Sequence, residues 1–362
     1  MLKRYSRQVI LSNIGEEGQK KLLNSKVVIV GCGALGTVAA NNLARAGVGH
    51  INIIDRDFVE LSNLQRQMLF EEEDVGEPKA LVAAKRLNAI NSEIEIEPIV
   101  ADLNHTNVQE ILKDASVVLD ATDNIQTRML VNDVCVQNGI PWIYTGAIGT
   151  SGMIMNLLPD APCLRCLYPN IPQAGSLPTC DTLGVLNTVT AIMGSMESTE
   201  ALKIILGAYS TLKNSKENQD LEKTDDVAND SIEHQESYND GKLIVYDAWD
   251  NSIDQIIVKK VEDCTCCGEK NFEFLEAEDK EIITSLCGRN AVQITPARAK
   301  QISLLDLASN LEKLGEVKAS DFLLLFKTEE FEISIFRDAR AIIKGTNDGN
   351  MAKSLYARYI GT

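Results

Sequence analysis

The sequence predicts an α/β protein, with a mostly parallel sheet covered by helices on both faces and a small α+β module behind it. Three observations carry this. From residue 26 to residue 146, apolar strand-like segments alternate with helical stretches, which is the pattern of a parallel sheet with crossover helices. A glycine-rich turn joins the first strand to the first helix, and an acid closes the next strand. Residues 271–362 instead hold short strand-like pieces between two helical stretches.

Residues 26–55, KVVIVGCGALGTVAANNLARAGVGHINIID, read as strand, glycine turn, helix, strand and terminal acid. Gly31, Gly33 and Gly36 have the GxGxxG spacing directly after Val27–Val30. Gly31 permits the tight turn, Gly33 lets backbone approach a phosphate, and Gly36 lets helix pack on strand. The first N–H groups of the new helix then face an anion. Asp55 ends the following strand, where an acid can bind ribose hydroxyls. In that register these residues predict a nucleotide-binding, Rossmann-type unit.

The alternation continues. Residues 76–91 carry apolar residues at helical spacing, 94–100 read as a strand, and 115–122 (ASVVLDAT) as a buried strand. A helix near 125–138 and a strand over Trp142–Gly146 follow. Ligands of such sheets sit beyond the carboxyl ends of strands, so Asp55 and the Asp120–Asn124 turn are the binding ends. Residues 185–207 predict one long, largely apolar helix. The tract 214–241 holds nine acids against two lysines and lacks apolar periodicity, so it reads as a mobile surface insertion. Strand-like segments return at Lys242–Tyr246 and Ile253–Val258. After Cys267 the order changes. An amphipathic helix over 297–314 stops at Gly315. The pieces Phe322–Phe326, Phe331–Phe336 and Arg340–Lys344 suggest an antiparallel meander, and a last helix lies near 348–359. The expected domains are residues 1–270 and 271–362.

Bulk properties exclude some classes. The net charge of −17 disfavours duplex nucleic acid as a general partner and anionic membrane surfaces as a docking site. No apolar run reaches the ~18 residues of a membrane span. The N-terminus, MLKRYSRQVILSNIGEEGQ, has no apolar core of a signal peptide, so the cytoplasm is the expected compartment. In that setting the nine cysteines fit metal ligation or reactive thiols better than a disulfide frame.

Cys163-Leu-Arg-Cys166 and Cys264-Thr-Cys266-Cys267 are two CxxC pairs about 100 residues apart. Each pair turns two thiolates toward one ion, and two such knuckles complete a tetrahedral site suited to zinc. The expected ligands are Cys163, Cys166, Cys264 and Cys267. Cys266 is a spare neighbour able to stand in for Cys264 or Cys267. A closed four-thiolate site has a structural role and adds to folding stability. Of the other thiols, Cys32 and Cys135 read as packed.

Charged residues cluster soon after Asp55. Arg56-Asp57, Asn63, Arg66-Gln67 and Lys79 follow in turn, more positive charge than a dehydrogenase pyrophosphate needs. Arg66 offers a planar fork to phosphate oxygens and Lys79 a point charge. Asp123, in the Thr122-Asp123-Asn124 turn, suits a magnesium ion whose other ligands are phosphates. The inventory predicts binding of a triphosphate with Mg²⁺. The only three histidines, His50, His105 and His234, lie in no convincing site.

RYSRQVIL (4–11), GCGALG (31–36), NLQRQ (63–67), Gly76–Lys79, TDN (122–124), PCLRC (162–166) and CxxCG (264–268) occur in this order. With them, residues 1 to about 270 resemble the ThiF/MoeB/HesA group of E1-like enzymes. The resemblance implies a Rossmann-like E1 adenylation domain. It implies ATP-dependent adenylation of the C-terminal Gly-Gly of a ubiquitin-like sulfur carrier of the ThiS/MoaD type, with release of pyrophosphate. Asp55 then matches the ribose acid, Asn63, Arg66 and Lys79 the phosphate-binding residues, and Asp123 with Asn124 the metal-linked turn. Arg7 matches an arginine that reaches the ATP of the partner subunit in family homodimers, and the four cysteines match the zinc ligands. A carboxylate nucleophile is already ionised at neutral pH, its pKa being about 3.5. The step therefore demands alignment and charge neutralisation rather than a catalytic histidine.

Cys180 lies in LPTCDTLG (177–184), ahead of the long helix. In the family a cysteine of this segment forms a thioester or acyl-disulfide with the carrier in some members and is dispensable in others. Cys287-Gly-Arg289 does not suit a rhodanese loop, which needs a longer Cys-to-Arg run. LCGRNAVQ and SLYARYIG resemble C-terminal extensions of longer members; that resemblance assigns no activity, and carrier docking or subunit contact is the expected role. A sulfurtransferase is a further expected partner, as sulfur donor. Two other readings share the fold: an NAD-binding oxidoreductase, and a non-catalytic E1-like scaffold. Within the family, tRNA-modifying dehydratases activate a small carboxylate, and the paired CxxC motifs favour a protein carrier.

Overall fold

The computed structural model describes residues 3–172, 179–209, 241–276, 282–286, 290–296, 302–320 and 322–361. Of the tract expected to be a mobile insertion, only Gly241 is among these. Cys287–Arg289 and the start of the helix expected at 297 also lie outside them. The described residues divide into two compact units, one within Met1–Pro172 and Val185–Leu275, the other within Gln173–Gly184 and Glu276–Thr362.

In the first unit α1 (Ser6–Val9) and α2 (Gly15–Leu23) lead into β1 (Lys26–Val30), α3 (Ala34–Ala46) and β2 (His50–Ile54). Next come α4 (Lys79–Ile90), β3 (Glu95–Ile99), α5 (Val108–Leu112), β4 (Val117–Asp120), α6 (Ile125–Asn138) and β5 (Trp142–Ile148). After β6 (Ser151–Leu157) and α7 (Leu164–Leu167) the chain passes through α8 (Cys180–Leu183), grouped with the second unit, to α9 (Asn187–Leu206). β7 (Gly241–Asp247) and β8 (Ser252–Val258) close the sheet.

The strand order is β3-β2-β1-β4-β5-β6-β7-β8. Pairing is parallel from β3 to β5, with Val27 opposite Ile51 and Val117. It is antiparallel from β5 to β8. The parallel half and α9 follow the sequence pattern. The sequence reading missed β6, because MIMNL lacks clean alternation and its partners are set by the hairpin at Gly149-Thr150.

β1 is buried on both faces, which is why it reads as an unbroken apolar run. Val27 and Ile29 face a core with Leu43 of α3, Leu87 of α4 and Met193 of α9. Val28 and Val30 face a second core with Leu112 of α5, Met129 of α6 and Trp142. Each fully buried aliphatic side chain contributes about 1.5–3 kcal/mol. These two layers hold the carboxyl ends of β1, β2 and β4 side by side.

The second unit has a six-stranded antiparallel sheet ordered β11-β12-β13-β14-β10-β9. Its strands are β9 (Ile282–Leu286), β10 (Ala291–Thr295), β11 (Glu316–Ala319), β12 (Leu323–Lys327), β13 (Glu332–Phe336) and β14 (Ala341–Lys344). The expected meander is β12-β13-β14. β9, β10 and β11 were not foreseen, being short and free of strong turn signals. Helix α10 (Leu304–Leu311) is shorter than its apolar pattern, since Ser303 caps it by accepting the Asp306 N–H (3.3 Å). α11 (Gly349–Tyr359) is the expected last helix, capped by Asp348.

Candidate active site and four-cysteine cluster

The turn after β1 is built by its glycines. Gly31 has φ +97°, and a Cβ there would stand 2.6 Å from the Ala121 carbonyl oxygen. A Cβ on Gly36 would collide with the Gly31 carbonyl. Only glycine satisfies both positions. Gly33 precedes α3, whose N-terminus has no side-chain cap. A Cβ on Gly33 would meet nothing nearer than the Gln67 amide nitrogen at 3.9 Å. The glycine turn therefore opens onto space beside uncapped helix N–H groups, which is the form of an anion cradle.

Asp55 sits beneath this cradle. Its Oδ2 accepts the Cys32 N–H (2.6 Å) and its Oδ1 the Asp57 N–H (2.7 Å). Burial pushes its carboxyl up, and the Lys79 charge opposes the rise. Lys79 is itself buried at the start of α4, with Nζ 3.5 Å from Asp57 Oδ2. Burial works against its charge, and Asp57 and Asp55 restore it, so its ammonium is held above the usual lysine range. Arg56 donates to Asp102 (2.9 Å) and remains charged despite burial, through the fields of Asp102, Asp57 and Asp123. Cys32, wholly buried, has its thiol pushed up by burial and by Asp55, so it is no nucleophile.

The loop before α4 supplies the next residues. Asn63 is buried and its Oδ1 accepts the Glu60 N–H (3.1 Å), closing a short 3-10 turn. The turn carries Arg66, half-buried, whose Nη1 donates to the Ser62 carbonyl (2.9 Å). Gln67 follows, and its buried Oε1 meets no donor.

Asp123 is exposed beyond β4, and Asn124 caps α6 by accepting the Gln126 N–H (2.8 Å). A single carboxylate at a strand end fits magnesium, which takes its remaining ligands from phosphates and water. The structure brings Gly31, Gly33, Gly36, Asp55, Lys79 and the Asp120–Asn124 turn to one end of the sheet. It does not bring Arg7 there. The neighbouring Gln8 binds the Ala46 carbonyl (2.8 Å) at the far end of α3, about 18 Å of helix from the glycine turn. Arg7 is exposed on α1. Cys180 is half-buried and opens the four-residue α8, in the other unit.

Sequence reasoning missed the charges below the Asp123 turn. Asp120 is buried and accepts from Arg128 Nε (2.8 Å), Thr122 N–H (3.0 Å) and Thr122 Oγ1–H (2.6 Å). Glu197, on α9, is wholly buried, and neither carboxyl oxygen makes a hydrogen bond of ordinary geometry, the Thr145 hydroxyl being the polar group it faces. The available signal for Glu197 was an acid, one of two with Glu200, within the largely apolar stretch 185–207. Burial first, then the Asp120 charge, pushes its carboxyl well above the carboxylate range, and Thr145 and Arg128 only ease this. Its folded pKa thus lies above its unfolded one. As pH rises through the window above the unfolded value of 4.5, the unfolded chain binds fewer protons and stability falls. Glu197→Gln removes this titration, so between about pH 5 and about pH 8 the variant should lose less stability than wild type in denaturant titrations. Equal pH slopes would show that Glu197 ionises freely.

Among the described residues, Cys163, Cys166, Cys264 and Cys267 place their Sγ atoms within 4.8 Å of one another. Cys163 lies 3.6 Å from Cys264, and Cys166 lies 3.5 Å from Cys267. A tetrahedral ion with metal–sulfur bonds of about 2.3 Å needs sulfurs about 3.8 Å apart, so the set fits zinc. Cys266 is buried in the same cluster beside Cys163, and its Sγ also accepts from Asn132 Nδ2 (3.1 Å). Asn132 Oδ1 also accepts the Leu164 N–H (2.8 Å), and Asp133 accepts the Phe274 N–H (3.0 Å). Helix α6 therefore holds both knuckles in place.

No helix among the described residues is long and apolar enough to cross a membrane. A family model, that of the ThiF family, matches residues 5–266. The chain is similar to the sulfur carrier protein ThiS adenylyltransferase of Bacillus subtilis, at 39% identity with 100% of each chain covered. It is also similar to the SAMP-activating enzyme E1 of Haloferax volcanii, at 38% identity over 77% of this chain and 93% of that one. A crystal structure of E. coli MccB with AMPCPP and selenomethionine MccA superposes with a TM-score of 0.57, at 25% identity over 73% of this chain and 74% of that one.

Proposed function

The chain belongs to the ThiF family, and from that premise we propose that it is an adenylyltransferase that uses ATP to activate the C-terminal Gly-Gly carboxylate of a ubiquitin-like sulfur carrier. The observation that carries this reading is the buried Lys79 ammonium, held by Asp57 beside the open glycine turn. A buried cation there, with Arg66 on the adjoining loop, suits a triphosphate.

A carrier carboxylate oxygen forms a bond to the α-phosphorus. The bond from that phosphorus to the bridging oxygen breaks, and pyrophosphate leaves with both electrons. No proton moves, so the step needs no general base. Asp55 binds the ribose, the Gly33 turn and Asn63 receive the phosphates, and Lys79 and Arg66 neutralise the charge that grows on the leaving group. Asp123 would hold magnesium, which would supply further charge neutralisation at the phosphates. Arg7 serves the pocket of a second copy in a homodimer. Zinc on Cys163, Cys166, Cys264 and Cys267 is structural.

A protein substrate also suits the sheet edge. The outermost strand β8 exposes Ile253, Ile256 and Ile257, and Trp249 is exposed at the preceding turn. Exposed sheet edges of this kind accept protein partners. Residues 271–362 act in this reading as a second domain for carrier docking or subunit contact. A chain ending at residue 270 that keeps the carrier Kd and dimerisation would reject that role.

The test is exchange of labelled pyrophosphate into ATP, with a Gly-Gly carrier present and absent. Carrier-dependent exchange supports the reading. Tight NAD binding without ATP binding would support an oxidoreductase instead. Cys180 is assigned to a later covalent step with the carrier, sulfur coming from a sulfurtransferase. Cys180→Ala should leave exchange unchanged and stop sulfur transfer. Loss of exchange in that variant would place Cys180 in the first step.

A further inference from the structure

Beneath the Asp123 turn lie two carboxyls and one guanidinium. Arg128 Nη2 donates to the Thr122 carbonyl (2.6 Å) and to the Thr145 carbonyl (3.1 Å), while its Nε donates to Asp120 (2.8 Å). One planar fork therefore joins the last residue of β4, the residue before Asp123, and β5 one residue beyond Asp120's partner Tyr144. The guanidinium also lies over the Tyr144 ring, 5.0 Å from its centre. Glu197 approaches from α9 with neither oxygen making a hydrogen bond of ordinary geometry.

Such a cluster is costly to bury, and an apolar core of the same volume is often the more stable choice. Its position offers a reason for it. Ligands bind where these strands end, and the turn that carries Asp123 needs a fixed backbone. We propose that Arg128 is a positioning residue for adenylation, clamping the Thr122 carbonyl so that Asp123 stands where it meets magnesium and the nucleotide phosphates. The inference rests on the adenylation reading and adds to it a residue that touches neither substrate nor metal. Arg128 pairs with Asp120, and burial pushes the Glu197 carboxyl well above the usual carboxylate range, which disfavours its charged form. The cluster therefore adds little negative charge beneath Asp123. Lysine at this position would retain the charge opposite Asp120, yet a single ammonium on a flexible stem cannot hold both carbonyls in one plane.

The test is magnesium-dependent ATP binding by the full chain, measured calorimetrically for wild type, Arg128→Lys, Asp123→Ala and the double variant. Arg128→Lys should raise the half-saturating magnesium concentration by about 10-fold or more, while ATP affinity in chelator stays within about twofold. In the Asp123→Ala background the same substitution should add nothing, because both act through one carboxylate. An unchanged magnesium requirement in folded Arg128→Lys would overturn the proposal, as would full additivity in the double variant. Should Arg128→Lys fail to fold, Asp120→Asn is read in the same assay with the same expectation. Failure of both to fold would assign the cluster to stability alone and overturn the proposal. A wild-type chain that binds no ATP with magnesium overturns the adenylation reading as well, whereas wild-type binding with unaltered variants overturns only this inference.

Discussion

Arg66→Ala should lower carrier-dependent pyrophosphate exchange by about 10²–10³-fold while leaving the melting temperature unchanged. The two halves of this expectation have separate causes. Arg66 is half-buried, and its guanidinium bonds the Ser62 carbonyl on its own short turn. Removing it uncovers no core and strands no buried charge, and substitutions of that kind stay within about 0.5 kcal/mol. In the reaction, negative charge moves from the scissile bond onto pyrophosphate, and a planar fork meets two of its oxygens at once. That interaction strengthens as the bond breaks, so its loss falls on kcat. Exchange kinetics and calorimetric melting of the same sample check both halves. A fall in melting temperature in step with activity would make Arg66 a structural residue. Lys79 would give a less clean test. It is buried against Asp57 and Asp55, so Lys79→Ala leaves buried carboxylates without their cation, and activity and stability fall together.

The second large effect is on stability. Cys163→Ala should yield protein without zinc and with a melting temperature lower by roughly 10 °C or more, since a loss of several kcal/mol corresponds to that shift in a domain of this size. Structural zinc sites supply about 10–16 kcal/mol of apparent binding free energy in small peptides, as much as the whole stability of a typical domain, about 5–15 kcal/mol. Cys163 sits 3.6 Å from Cys264 and joins residue 163 to a segment about 100 residues later. Without it, the knuckle at Cys264 keeps its contacts with Asn132 and Asp133, the Arg165–Glu273 pair and the Cys166–Cys267 contact, but no complete ligand set. These residues lie on α6, one turn beyond Arg128, so zinc loss should also lower exchange in part. Metal analysis and calorimetry decide the matter. Zinc-free protein that melts like wild type would show that the cluster is not a structural staple.

Much of the site was legible because its demands are local. A turn that accepts phosphate needs glycine where a Cβ would strike the next carbonyl, as at Gly31 and Gly36, and that requirement shows as spacing. A strand buried on both faces shows as an apolar run, so β1, β2 and β4 were found. Asp55 was readable from its place at a strand end. The antiparallel half of the sheet was harder, since β6 is defined by hydrogen bonds to β5 and β7 rather than by alternation. Helix α10 was overestimated because apolar spacing continues upstream of the Ser303 cap.

The amino-acid sequence by itself determined the glycine turn, the positions of Arg66 and Lys79 after it, and the two thiol pairs, because each is a short segment whose form depends on near neighbours. Only the tertiary structure decided that Cys163, Cys166, Cys264 and Cys267 form the mutually close set, with Cys266 beside them and bonded to Asn132. It alone placed Arg128 against Asp120, with the buried Glu197, beneath the Asp123 turn. The physical reason is that burial and charge pairing belong to groups from distant segments. A carboxyl's protonation and an arginine's partners are set by what surrounds them after folding, and residue type and spacing do not encode that surrounding directly.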